Sequence, residues 1–212
     1  MSRCRSGLDL NWKRVMVGMM LVLGAVGFMG CGGGGSSSDD DGGDISLGSL
    51  AIVNTKADDE ANIAIVDYVS GETYPDLLPV GGSCDMTQYG DYVYIVDKSN
   101  DRIVKFDPQA RSMVSEMSMP SGCGPNSIVF ASATKAYVTA SDEPAIYILD
   151  PETMAITGNI DISSMADEDG DPDQYQAIIH AADQRLYVTL RRSSGRSLTD
   201  HSSLAVIDIA TD

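Results

Sequence analysis

Ala136-Tyr137-Val138-Thr139 leads through a turn into Ala145-Ile146-Tyr147-Ile148-Leu149-Asp150-Pro151, and this pair of phrases decides the fold. Each run is short, rich in β-branched and aromatic residues, and bounded by turn formers, which is strand chemistry. The second phrase recurs as Ile63-Ala64-Ile65-Val66-Asp67, Ile103-Val104-Lys105-Phe106-Asp107 and Leu204-Ala205-Val206-Ile207-Asp208, each with an aliphatic first residue, an apolar fourth and a closing Asp. The closing aspartates fall 40, 43 and 58 residues apart. The first phrase recurs as Val93-Tyr94-Ile95-Val96 and Leu186-Tyr187-Val188-Thr189, with Leu50 to Asn54 in the matching place of the first unit. Further strands precede these pairs at Met86 to Tyr89, Ser127 to Phe130 and Ala177 to His180, and follow them at Met113 to Met119 and Met154 to Ile162. Pro108 and Pro151 stand at the second position of type I turns, each behind an Asp whose side chain is suited to accept a backbone N–H.

Four strands in a unit of about 40 to 45 residues is the signature of a β-propeller blade. The expected fold class is all-β: a partial β-propeller of about four four-stranded blades over residues 45–212. The units read as three, four, four and three strands, because the first lacks its inner strand and the fourth stops at Asp212 after its third. On that count the chain is expected to be the N-terminal portion of a propeller of about six to eight blades. An all-β sandwich of the same hairpins is the structural alternative. The tyrosine phrases, each followed by an Ile-x-x-x-Asp or Leu-x-x-x-Asp strand, look like the YVTN family of β-propeller repeats over residues 49–212. The resemblance implies a fold and leaves the function open, since similar propellers serve as lactonases, redox-enzyme subunits, surface-layer components and plain binding scaffolds.

Residues 1–30 have the composition of a signal peptide. Arg3, Arg5, Lys13 and Arg14 precede an apolar run from Val15 to Met29, too short to span a bilayer and long enough for a signal-peptide core. Phe28-Met29-Gly30-Cys31 resembles the bacterial lipobox, which implies that Cys31 is diacylated and becomes the mature N-terminus. Gly32 after it lacks the Asp that resembles an inner-membrane retention signal, so the resemblance implies the outer membrane. Residues 31–44, where Cys31 is followed only by Gly, Ser and Asp, form a solvated tether that holds a folded domain off the lipid surface.

Composition limits the partners. With 14 Lys and Arg against 31 Asp and Glu in 212 residues, the net charge of −17 repels phosphate backbones, and no nucleic-acid partner is expected. The expected partners are the membrane, through the lipid anchor, and a protein or small molecule on the loop face. Cys4 leaves with the leader and Cys31 takes lipid, so Cys84 and Cys123 remain as a disulfide candidate, with two buried thiols as the alternative.

The loops between second and third strands, and from a last strand to the next blade, share one face, and the two long insertions fall there. In the first, Asp167, Asp169, Asp171 and Asp173 alternate as calcium ligands do; Pro172 replaces the glycine of an EF-hand loop, and a solvated acidic loop is the preferred reading. In the second, Arg191, Arg192 and Arg196 are a candidate anion-binding loop, or they pair with the acidic loop beside them, which is the favoured reading. His180 occupies the place of Phe130 in its unit and reads as a packed strand residue. No catalytic constellation is present: there is no nucleophile elbow, zinc helix or phosphate loop. No catalytic residues are assigned, no cofactor beyond calcium is implied, and the leaning is away from an enzyme. The expected role is a membrane-anchored binding or scaffold module of the bacterial cell envelope. The alternatives are a lactonase-like or redox catalytic propeller with its site around the central channel, and a structural surface-layer component.

Overall fold

The computed structural model describes residues 50–57, 60–166, 170–191, 193–194, 197–198 and 202–212. The first sheet joins β1 (Leu50–Ala57), β2 (Glu60–Asp67) and β3 (Thr73–Gly81). The second joins β4 (Cys84–Tyr89), β5 (Tyr92–Asp97), β6 (Arg102–Asp107) and β7 (Ser112–Ser118). The third joins β8 (Pro125–Ser132), β9 (Lys135–Ala140), β10 (Ala145–Asp150) and β11 (Ala155–Asp161). The fourth joins β12 (Gln174–His180), β13 (Arg185–Leu190) and β16 (Ser203–Asp208). A small hairpin of β14 (Ser193–Ser194) and β15 (Ser197–Leu198), which the sequence pattern did not reveal, rises between β13 and β16. Every pairing is antiparallel between chain neighbours within a sheet, so each sheet is a meander.

The three-four-four-three division agrees with the repeat count. The sheets stack face to face, and three separate cores fill the gaps. Ile63, Ile65, Ile95, Val104 and Phe106 fill the first gap; Val96, Ile103, Cys123, Ala136 and Val138 the second; Tyr137, Ile146, Leu186, Val188 and Ala205 the third. Successive strand residues serve opposite cores: Val93 and Ile95 point to the first gap, Tyr94 and Val96 to the second. A strand covered on both faces has no polar face to offer water, which is why these phrases are continuously apolar instead of alternating. β16 shows the contrast, with Ala205 wholly buried while Leu204 and Val206 are about half exposed on the face that no described sheet covers.

The closing aspartates make the turns as expected. Asp67 Oδ1 accepts the N–H of Val69 at 2.8 Å, Asp107 Oδ1 that of Gln109 at 2.8 Å, Asp150 Oδ1 that of Glu152 at 2.8 Å, and Asp208 Oδ1 that of Ala210 at 3.0 Å. The N–H of Val69 and of Glu152 favour the ionised forms of Asp67 and Asp150 and draw them below the ordinary carboxylate range. Four residues beyond three of them the backbone is left-handed, at Gly71 (φ 79), Arg111 (φ 56) and Met154 (φ 52), the geometry of a type I turn closed by a bulge.

Cys84 and Cys123 are not bridged to each other. Cys84 packs beside the first core, whereas Cys123 is wholly inside the second. Even pairing by count fails here because the second sheet separates the two gaps. Burial, with Asp101, Glu143 and Asp142 nearby, pushes the Cys123 thiol up to about 12, far from a reactive thiolate. His180 also departs from expectation. It ends β12 in solvent, 62% exposed, with Nδ1 2.6 Å from Asp183 Oδ1, because the turn after the strand brings that carboxylate back beside it.

Candidate functional site

Antiparallel register decides where a site can form. Cys84 pairs with Asp97, Pro125 with Ala140, and Gln174 with Leu190, so the start of each innermost strand lies beside the end of its neighbour. β8 packs against both β4 and β12, and these three corners therefore meet on one face. They enclose a cleft of about 550 Å³. The second sheet supplies Ser83, Cys84, Asp85, Val96 and Lys98; the third supplies Pro125 and Asn126; the fourth supplies Tyr175, Gln176 and Arg191.

Its polar groups are held in place. The Tyr175 carbonyl accepts Asn126 Nδ2 at 2.9 Å and Thr139 Oγ1 at 2.9 Å, tying the third sheet to the fourth and fixing the residue on which Arg191 rests. The Arg191 guanidinium carbon stands 4.6 Å from the centre of the Tyr175 ring, a cation–π contact. Gln176 is locked to the next strand by its N–H on Thr189 Oγ1 at 3.0 Å and by its carbonyl on the same hydroxyl at 3.1 Å. Lys98 reaches across to the third sheet, where its ammonium bonds Ser141 Oγ and lies 4.0 Å from Asp142 Oδ2.

Asp85 is the acid of the cleft. Burial lifts its carboxyl above the ordinary range, opposed by the Met86 N–H at 2.9 Å and by the Gln176 amide. The folded chain thus holds the Asp85 proton more tightly than the unfolded chain does. Its ionisation weakens the fold: the penalty is absent below the unfolded pKa and grows as pH rises through the folded one. The D85N variant is therefore expected to melt at a higher temperature than the parent at pH 7 and at the same temperature near pH 3, about the bottom of the carboxylate range. Equal melting at both pH values in thermal denaturation contradicts the assignment.

On the same face each junction between sheets has its own polar clasp. At the first, fully buried Asp97 accepts Gly81 N–H at 3.0 Å, Asn100 Nδ2 at 2.9 Å and Arg102 Nε at 2.9 Å, and Arg102 Nη2 continues to the Pro79 carbonyl at 2.8 Å. At the second, Asp101 accepts the N–H of Gly122 at 2.7 Å and of Gly124 at 3.3 Å. Gly124 is left-handed (φ 60), and a Cβ there would lie 2.0 Å from Asp142 Oδ2. At the third, Gln174 Nε2 donates to the carbonyls of Glu143 at 2.8 Å and Ala145 at 2.9 Å. A smaller cleft of about 410 Å³ at the first junction includes Arg102, whose guanidinium is already committed to Asp97, Glu116 and Pro79.

No family model matches the chain, and no curated protein is recognisably similar to it. Solved structures are similar in shape. Hydrazine synthase of Kuenenia stuttgartiensis superposes with a TM-score of 0.57 at 20% identity, over 77% of this chain and 44% of that one. BamB from Moraxella catarrhalis gives 0.50 at 18%, over 77% and 44%, and a chain of the mitotic checkpoint complex gives 0.53 at 11%, over 76% and 45%. The chain folds as a β-propeller. It spans less than half the length of each of these three structures.

The four sheets are its blades, and the cleft lies where the inner strands of the second, third and fourth converge. Of the sequence candidates, the blades bring Arg191 and Cys84 to the cleft. The Arg191 N–H donates to the Asp173 carbonyl at 3.1 Å, and its side chain stacks on Tyr175. Arg192 and Arg196 lie outside the described residues, as do Cys31, Asp167 and Asp169. Asp171 Oδ1 accepts the Asp173 N–H at 3.2 Å, and among the described residues no three His, Cys, Asp or Glu side chains converge as a metal site needs. Sequence reasoning missed Lys98, Asn126, Tyr175 and Gln176, although each flanks the start or end of a predicted strand, which is where blade corners meet.

Proposed function

We propose that the chain is a lipid-anchored β-propeller module of the bacterial outer membrane, with YVTN-type repeats, that binds its partner or ligand in the cleft at the inner strand ends. The observation that carries the reading is the construction of that cleft. Three blades contribute to it, and its amides and carbonyls are fixed by bonds between and within blades, so a ligand meets a preformed surface. The propeller neighbours support a scaffold, and the basic leader, apolar run and Cys31 support the anchor. Metabolic labelling with a radioactive fatty acid is expected to mark the chain, and the label is expected to vanish in the C31A variant; an unlabelled parent chain removes the anchor from the proposal. The enzymatic alternative rests on Asp85, whose raised pKa suits proton transfer. The described lining supplies no second acid and no histidine to work with it.

A further inference from the structure

We infer that the cleft receives a small organic carboxylate, clamped by the Arg191 guanidinium over Tyr175 with Lys98 as the second cation. This rests on the reading of the cleft as a ligand site. Acids outnumber bases 31 to 14 in the chain, yet the Arg191 side chain meets no carboxylate among the described residues. A guanidinium over an aromatic ring keeps the N–H groups of its rim for an acceptor in its own plane, and a carboxylate matches that fork with two parallel bonds.

The support beneath Arg191 is rigid before any ligand arrives. Tyr175 is fixed through its carbonyl by Asn126 and Thr139, so little ordering remains to be done on binding. The charge within the cleft also selects. Its lining places two cations, Lys98 and Arg191, beside the carboxyl of Asp85, whose oxygens are already engaged by the Met86 N–H and the Gln176 amide; Lys98 also faces Asp142 Oδ2 at 4.0 Å, which leaves Arg191 as the principal clamp. A guanidinium at the cleft in a chain of net charge −17 favours an anion small enough to sit beside it, because the surrounding acidic surface repels the rest of a larger one. The cleft volume of about 550 Å³ lies within the usual range for small-molecule sites.

Calorimetric titration of the full chain with succinate tests the assignment, with inorganic phosphate and choline as comparison probes. Succinate is expected to bind in the micromolar to millimolar range, and the R191Q variant to lose about tenfold or more in affinity. R191K is also expected to weaken binding, since it keeps the charge and loses the fork. R185Q removes the same charge at the opposite, exposed end of β13 and is expected to leave binding intact. Unchanged melting temperatures in these variants separate lost contacts from lost fold. Binding of choline in preference to succinate, tighter binding of phosphate, equal loss in R185Q, or no heat with succinate at millimolar concentration each overturns the proposal. A tripeptide with a free C-terminus, compared with its C-terminal amide, identifies the source: preference for the free tripeptide over succinate assigns the carboxylate to a peptide end, and preference for succinate assigns it to a free acid. Fatty-acid labelling of Cys31 that succeeds while succinate fails leaves the anchored module standing and removes only the carboxylate.

Discussion

Alanine in place of Asp97 is expected to lower the stability of the fold by about 3 kcal/mol or more, because removing one member of a buried pair leaves its partners uncompensated. Asp97 is completely buried, and its two oxygens serve a backbone N–H of the first blade and two side chains of the second. With the carboxylate gone, Gly81 N–H loses its acceptor inside the joint. Arg102, still bound to Glu116 and Pro79, keeps its charge with one counterion fewer. Asparagine at the same place restores an acceptor without the charge and is expected to lose less. Urea unfolding decides the matter: a lower midpoint at unchanged slope is the expected result. A loss below about 0.5 kcal/mol, the size of an ordinary surface substitution, contradicts the role given to Asp97.

Phe106 is expected to matter as much through apolar packing. It lies fully buried in the first core with Ile63, Ile65, Ile95 and Val104, and truncation to alanine removes a ring from between two blades that β-ladders on either side hold apart. Phe-to-Ala changes in such cores cost about 3–5 kcal/mol, the upper part of the range applying where the walls cannot collapse into the void. Val114, on β7 and 50% exposed, provides the internal comparison: its alanine variant is expected to stay within about 0.5 kcal/mol of the parent. Similar losses at the two positions contradict a core between blades at Phe106.

Much of the fold was legible because both faces of the middle blades are buried. Val93-Tyr94-Ile95-Val96 and Ala136-Tyr137-Val138 advertise that burial as unbroken apolar runs, and the closing Asp of each unit marks the turn it caps. Short-range chemistry sufficed for both. The hairpin of β14 and β15 was not legible, since two-residue strands of Ser and Leu carry no periodicity. Cys84 and Cys123 misled because parity of cysteines says nothing about a sheet lying between them. His180 misled in another way: alignment with Phe130 placed it on the right strand, but only the return of Asp183 showed that the strand end faces water. In the cleft, Arg191 was visible as a loop cation. Its platform was not, because Tyr175 reaches it only through the pairing of β12 with β13, and Asn126 reaches Tyr175 only through the contact between blades.

The clasps have a consequence for assembly. Blades built on one repeated phrase are close enough in shape to dock in the wrong succession, or against the same blade of another chain. Apolar surfaces alone discriminate such mispairings poorly. A carboxylate–guanidinium pair at the first joint, a carboxylate on two glycine amides at the second and a primary amide on two carbonyls at the third are not interchangeable. Any misordered joint buries donors against donors or strands an acceptor, at the price of an unmade hydrogen bond in a dry place. The joints therefore act as a lock-and-key numbering of the blades, and a chain that swaps them exposes its error as lost stability.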